Sequence, residues 1–362
     1  MIAPVSAEGI SVTSMRIISR SLQEMQTSVF RTTVSAGLPT RGVLSGNVRV
    51  VAVSVPDTTV IARIIRFFRT RSVLTRFRDY ENINSRVDLY SCTVSACYPF
   101  LISIPHGGVE IPRELAGRLA LRRREIRYYS DPLTRELYGF GSSVQASIDT
   151  PVSRMAVDLN RPPLPLPPRD PDGIIKVRTI DGKAVYREGL FPDMHLIHRL
   201  MMAWYFPYHQ HIDELIDQRD VKVAFDCHSM LPVGAGEQKD AGRKRPLICL
   251  GNNGDRKGRA RKGSIATCPE PWIQALADEF RSEFSLDHEV AINNPFSGGF
   301  ISNAHFWRKG IPWIQIEINR ALYEPERAPG IFPSPDSAGP ARALRGRIWR
   351  VLAAFWDHRN KG

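Results

Sequence analysis

The sequence predicts a three-layer α/β/α sandwich around a mixed, largely parallel sheet, and three observations carry that expectation. Short apolar runs at residues 99–104, 221–225, 246–250 and 312–318 alternate with stretches of helical periodicity, the order that produces a parallel sheet with helices on its faces. The runs are bounded by Pro, Gly or a sudden cluster of polar residues, as buried strands emptying into tight loops are. A chain of 362 residues, 43% hydrophobic and 24% charged, has the length and composition to bury a sizeable core.

Taken in order, residues 1–90 do not resemble the rest. They are rich in Arg, Ser, Thr and Val, with a strand expected at 48–55 and a basic helix at 60–77. Transit peptides have such a composition, but the segment is long and shows no cleavage pattern. A dispensable or disordered extension, or a start codon set too early, fits equally well, and no function is assigned to it. The chemistry-bearing domain is expected over residues 91–362. Its first strand ends in Pro105-His106-Gly107-Gly108, with a carboxylate following at Glu110. A helix opened by proline is expected over 112–127, then a new helix N-capped at Ser130. Two β-like runs follow, at 144–148 and 152–157. Residues 162–171 are a proline-rich loop, readable as a lid or as a rigid connection.

The longest helical pattern, 191–219, is expected to break or kink at Pro207. It carries His195, His198, His209 and His211 without an HExxH arrangement, and its aromatic neighbours Trp204, Tyr205 and Tyr208 point to structural histidines. The strand at 221–225 ends in Asp226-Cys227-His228, and that at 312–318 bears Glu317. Helices are expected over 272–284 and 341–356, with a turn at Pro295-Phe296-Ser297-Gly298-Gly299 between them.

The net charge is +12. The first 90 residues hold 12 arginines, no lysine and 6 acids, a net of +6; the remainder holds 37 basic and 31 acidic residues, again +6. Basic residues recur over 239–262 beside a Gly-rich loop. There is no zinc finger, RRM signature or aromatic-interleaved basic groove, so nucleic-acid binding is not expected. A solvated basic face, or a basic mouth that attracts a small anion, accounts for the charge. Five scattered cysteines without a C-x-x-C pair argue against a disulfide framework and for a reducing, cytoplasmic interior. No apolar run is long enough to span a bilayer, so no membrane partner is expected.

Three strand ends carry metal-capable groups. Catalytic zinc commonly takes two imidazoles and one carboxylate and keeps a position for water, which His106, Glu110 and His228 would satisfy. Asp226, two residues before His228, shares its face and could orient the imidazole or replace Glu110 as ligand. Glu317, a carboxylate on a buried strand, needs a partner and could serve as the general base. Ser153-Arg154-Met155-Ala156-Val157-Asp158-Leu159-Asn160-Arg161 adds two arginines and an asparagine. One arginine could anchor a carboxylate and the other stabilise an oxyanion. The plainer reading has both in structural ion pairs with Asp158 or Asp149.

The motifs P-H-x-G-x-x-x-P (105–112), S-R-x-x-x-D-L-N-R (153–161), Y-x-P-Y-H (205–209), D-x-H-S-M (226–230), P-F-S-G-G-F (295–300) and Q-I-E-I-N-R-x-L-Y (315–323) together resemble the N-formylglutamate amidohydrolase family. The resemblance covers residues 97–325 and not the first 90. That family is similar to zinc carboxypeptidases and aspartoacylase, so the resemblance implies a zinc-carboxypeptidase-like fold. It implies a zinc ion on His106, Glu110 and His228, Arg154 at the carbonyl oxygen, and Glu317 as base. It places Asn160 and Arg161 on the substrate carboxylate, with Arg320, Ser297 and Gly298 completing the substrate-binding set. One departure concerns Glu110: three residues separate it from His106, where the carboxypeptidase pattern has two. The implied reaction is hydrolysis of a small anionic N-acyl amino acid, N-formyl-L-glutamate to formate and glutamate, late in histidine degradation. The alternatives are a deacylase or carboxypeptidase-like peptidase of other specificity, and a non-catalytic binding protein whose metal site has decayed. Oligomeric state is not legible in the sequence.

Overall fold

The apolar runs form one mixed sheet in the computed structural model, which describes residues 97–167, 169–285, 289–324 and 338–359. Its strands are β1 (Tyr98–Ile104), β2 (Val144–Asp149), β3 (Val223–Met230), β4 (Ile248–Gly251), β5 (Val290–Ile292) and β6 (Trp313–Asn319). They lie in the order β2-β1-β3-β6-β4-β5. β1 is parallel to β2 and β3, β3 to β6, and β4 to β5, while β4 runs antiparallel to β6. The sheet is therefore mixed and mostly parallel. The strand and helix expected at 48–55 and 60–77 lie outside the described residues.

The helices are α1 (Arg123–Tyr129), α2 (Thr134–Tyr138), α3 (Met194–Leu200), α4 (Phe206–Gln218), α5 (Glu270–Phe284), α6 (Phe300–Lys309) and α7 (Ala338–Arg359). Because side chains alternate along a strand, the two faces of the sheet differ. One face is wholly apolar: Phe100 and Ile102 of β1, Val223, Phe225 and Cys227 of β3, Ile248 and Leu250 of β4, and Ile314, Ile316 and Ile318 of β6 pack against α2, α5 and α7. Burying each large apolar side chain there stabilises the fold by about 1.5–3 kcal/mol. On the other face Leu101, Ala224 and Trp313 pack against α3, α4 and α6. The following residues on that face, Ser103, Asp226, His228, Gln315 and Glu317, are polar yet buried. Polar groups in the middle of a covered sheet must find partners, and the site grows from that requirement.

Several local expectations are corrected. Residues 112–127 are not one helix: a 3-10 turn at Arg113–Leu115 is followed by α1. Ser130 closes α1 instead of capping α2, whose N-cap is Leu133 at φ 64. The run at 152–157 is a turn held by a single bridge between Val152 and Glu110, since Val157 and its neighbours serve a loop core and have no strand to pair with. Pro207 does not break the long helix. The chain passes from α3 into α4 through a π turn, Met201–Tyr205, in which Phe206 N donates to Met201 O. Widening the turn accommodates a proline that has no N–H and would crowd the preceding carbonyls. Among the described residues no helix is long and apolar enough to cross a membrane.

Candidate active site

Two imidazoles meet over the polar face, each held from behind by a buried aspartate. His106, just past β1, donates from Nε2 to Asp158 Oδ1 at 2.7 Å. His228, on β3, has Nε2 3.0 Å from Asp226 Oδ2. The carboxylates can only accept, so each imidazole presents Nδ1 to the other side. There the two rings lie 4.8 Å apart between centroids, with Asp131 between them: its Oδ2 is 3.5 Å from His106 Nδ1 and 3.0 Å from His228 Nδ1. The ligand atoms of His106, Asp131 and His228 all lie within 4.8 Å of one another.

Asp131 reaches this position through its backbone, because its N–H donates to the carbonyl of His106 at 2.9 Å. Arg320 fixes the same turn. Its Nη1 donates to Tyr128 O at 2.7 Å and its Nη2 to Ser130 O, and it stands 3.7 Å from Asp131 Oδ1. Burial alone would raise the Asp131 pKa, but His106, His228 and Arg154 outweigh it and hold the group well below the usual carboxylate range. His228 is balanced in the opposite sense. Burial disfavours the charged ring, yet Asp226, Asp131 and Glu317 keep it well above the usual imidazole range.

The donor set fits a divalent cation of the zinc type. His106 Nδ1 is buried and has no hydrogen-bond partner, an arrangement that costs free energy unless something binds that lone pair. With a cation bound, both rings would be neutral and would offer Nδ1; two such imidazole nitrogens and one carboxylate, with a buried carboxylate behind each ring, form a recognised zinc-binding chemistry.

Glu110 does not join this group, and Asp131 stands where the sequence suggested Glu110. After His106 the chain crosses to the 150–153 segment so closely that a Cβ on Gly108 would come 2.4 Å from Pro151 C. Glu110 N then donates to Pro151 O and Ser153 N to Glu110 O, which leaves the Glu110 residue exposed. Asp226 lies behind His228, where it also accepts from Ser103 Oγ at 3.2 Å and Asn160 Nδ2 at 2.9 Å.

Glu317 sits beside His228 in register on β6, 7% exposed. Burial, reinforced by the charge of Asp131 and opposed by His228 and by a hydrogen bond from Gln315, pushes its pKa up to about 7. Gln315 Nε2 donates to Glu317 Oε1 at 2.7 Å, so Oε2 remains for a proton.

Arg154 lies along Asp158, with Nη2 2.9 Å from Oδ2, and its Nη1 is 3.6 Å from Asp131 Oδ1. It is thus in an ion pair and also next to the imidazoles. Lys176 is the second cation on Asp158, at 2.8 Å. Although burial opposes ionisation, Arg154 and Lys176 keep Asp158 well below the usual range.

Asn160 is buried: Nδ2 donates to Asp226 Oδ2 and lies 3.1 Å from His228 Nε2, and Oδ1 accepts from Ile301 N at 2.8 Å. Its side chain is committed within the protein. Arg161 is more open, held by Asp172 through a 2.7 Å ion pair. Ser297 and Gly298 lead into Gly299, which packs directly on the Asn160 amide. Arg320, expected among the substrate-binding residues, gives its Nη donors to the backbone of the Asp131 turn and its Nε to Ser229 Oγ. The basic stretch 239–262 also divides into local pairs, Arg245 with Asp240 and Arg259 with Asp255.

Sequence reasoning missed Asp131, Asp158 as the support of His106, and His209. Half-buried His209 donates from Nε2 to Leu159 O at 3.0 Å. The signal for Asp158 is its place in a motif between two arginines; Asp131 lies in a Ser-Asp-Pro stretch that reads as a helix start.

Comparison with known proteins identifies the family of the chain. A model of the N-formylglutamate amidohydrolase family matches residues 98–324. The N-formylglutamate deformylase of Pseudomonas putida is 26% identical over 271 residues, covering 72% of this chain and 94% of that protein. That of Pseudomonas aeruginosa is 26% identical over 270 residues, covering 72% and 95%. The crystal structure of N-formylglutamate amidohydrolase from Ralstonia eutropha shares the fold, with a TM-score of 0.55 at 20% identity over 75% of this chain and 98% of that one. The matched region contains every residue of the site, and the chain belongs to the N-formylglutamate amidohydrolase family.

Proposed function

We propose that this amidohydrolase cleaves the amide bond of a small anionic N-acyl amino acid, N-formyl-L-glutamate first among them, at a zinc centre held by His106, Asp131 and His228. The observation that carries the proposal is the convergence of two carboxylate-backed imidazoles on Asp131, with the buried Nδ1 of His106 left without a partner, beside a carboxylate whose pKa is pushed up to about 7. The activity named for the Pseudomonas relatives supports the choice of substrate.

When bound, zinc supplies Lewis acidity and makes water a better nucleophile near neutral pH. The remaining work falls to the chain. Glu317, with Oε1 held by Gln315, takes the proton of the attacking water on Oε2 and returns it to the departing nitrogen. A pKa near neutrality suits both steps. Arg154, fixed on Asp158, is a cation set beside the site and opposes the charge that develops on the amide oxygen. Arg161 exchanges Asp172 for the substrate carboxylate, to which its fork is matched. Asn160 aligns Asp226 and His228 beneath it.

The test is a formate-release assay on the full chain supplied with zinc, using N-formyl, N-acetyl and N-succinyl amino acids. Hydrolysis of the N-formyl amino acids ahead of the others, lost on chelation and restored by zinc, is the expected result. No hydrolysis of any member by the zinc-loaded protein would reject the proposal in favour of a non-catalytic binding role.

A further inference from the structure

One face of the α3–α4 helix touches the site at three points. Tyr205, Tyr208 and His209 are three and four residues apart, so they share a face. The π turn ending at Tyr205 sets the phase of that face. Tyr205 OH donates to Arg161 O at 2.8 Å. His209 Nε2 donates to Leu159 O at 3.0 Å. These are the two carbonyls on either side of Asn160. Tyr208 OH lies 3.1 Å from Ser103 Oγ, which in turn donates to Asp226 Oδ1 at 3.2 Å, and the other oxygen of Asp226 accepts from Asn160.

His209 is itself anchored. Its Nδ1 is 2.9 Å from His305 Nε2, and His305 Nδ1 is 2.9 Å from Asp213 Oδ1, which Arg308 closes from outside at 2.6 Å through the second oxygen. Burial, with His305 adding, holds His209 well below the usual imidazole range, so the ring is neutral. A carbonyl only accepts, so the neutral ring carries its hydrogen on Nε2 and accepts at Nδ1. A buried polar relay of this kind is costly unless every member is satisfied, and this one ends on the backbone of the site loop.

We infer that Tyr205, Tyr208 and His209 are positioning residues: they hold the carbonyls of Arg161 and Leu159, the residues on either side of Asn160, and, through Ser103, one oxygen of Asp226, and thereby set Asn160 against Asp226 and His228 and aim Arg161 at the substrate carboxylate. None of the three touches the reacting atoms. The kinetic consequence rests on the amidohydrolase reading above; the structural consequence does not.

Two measurements test it. The first is the side-chain amide signal of Asn160 in a nitrogen–proton correlation spectrum, assigned by its disappearance in Asn160→Asp. Tyr205→Phe and His209→Leu should shift or broaden that signal, and His209→Gln, which can still donate to Leu159 O and accept from His305, should restore it. An Asn160 signal unmoved in Tyr205→Phe and His209→Leu overturns the clamp whether or not the protein hydrolyses anything. The second is kinetic. Each of the two disruptive variants should raise KM for N-formyl-L-glutamate about tenfold, within the range seen for supporting residues, with kcat little changed. In an Arg161→Ala background the His209→Leu change should add no further rise. A fall in kcat at constant KM, or increments that multiply in the double variant, would mean general loosening and would overturn the inference. Displaced Asn160 signals in a protein that hydrolyses no N-acyl amino acid would support the clamp and reject the substrate reading alone.

Discussion

Asp158 Oδ1 accepts a 2.7 Å hydrogen bond from Nε2 of His106, and that contact decides which imidazole nitrogen faces Asp131. On the neighbouring strand Asp226 likewise sets a carboxylate behind His228, 3.0 Å from its Nε2 in an ion pair. Each aspartate is fully buried and each turns the Nδ1 of its imidazole toward Asp131, so the polarity of the site is set by residues behind the imidazoles.

Removing the charge behind His106 should weaken metal binding without touching a ligand. In Asp158→Asn, zinc affinity is expected to fall 10- to 100-fold, read by competition with a chromophoric chelator. The same change leaves Arg154 and Lys176 without their buried counter-charge. It should therefore cost about 3 kcal/mol in a urea titration.

Glu110 and Asp131 make opposite predictions as third ligand. Glu110→Gln should keep one zinc per chain and retain activity within about twofold, since exposed side chains outside the site are replaced at little cost. Asp131→Asn should lose zinc affinity and activity together. Elemental analysis of the two purified variants, beside the formate assay, distinguishes them. Zinc lost from Glu110→Gln would return that residue to the ligand set.

Glu317→Gln should separate chemistry from binding. The amide keeps the size of the side chain but cannot take a proton, so kcat is expected to fall about 10²- to 10⁴-fold. Zinc content and KM should stay near wild type. A variant with kcat within a factor of a few of wild type would remove Glu317 from the base role.

Arg320 is expected to matter for stability more than for substrate affinity. Its donors hold the carbonyls of Tyr128 and Ser130, and its loss leaves buried acceptors unmet. Arg320→Met should destabilise the protein by about 2–4 kcal/mol, while KM of the folded fraction changes little. A large rise in KM with unchanged stability would make it a substrate ligand after all.

His209 gives a pH signature. Its folded pKa lies well below the ordinary 6.5. As pH falls through 6.5 the unfolded chain gains a proton on this residue that the folded protein does not accept. Stability contributed by His209 is therefore present above that pH and is lost below it, at no more than about 1.4 kcal/mol per pH unit. The stability gap between wild type and His209→Gln should narrow as pH drops from about 7.5 to about 5. A gap independent of pH would show that the folded ring takes up its proton as readily as the unfolded one.

The sequence by itself determined the fold class, most of the strands and the polar groups that they carry, but not the short strand β5 or the strand order. Apolar runs ending at His106, His228 and Glu317 were legible because strand burial leaves a continuous hydrophobic trace, and two-residue alternation put Asp226 and His228 on one face. The motifs from Pro105 to Tyr323 carried the family. What only the tertiary structure decided was the company these residues keep. Asp131 is separated from His106 along the chain and sits in a Ser-Asp-Pro stretch that reads as a helix start. A backbone bond to the His106 carbonyl and the Arg320 guanidinium bring it between the imidazoles. Glu110, four residues from His106, is carried outward because its peptide pairs with the 151–153 segment. His209 looked like a packing histidine, and only the meeting of α4 with the 159–161 loop gives it a carbonyl to hold. Periodicity reports which face of an element a side chain occupies. Metal ligation and hydrogen bonding depend on atoms converging within a few ångströms, and that distance is set by how separate elements pack, which no local pattern of residues encodes.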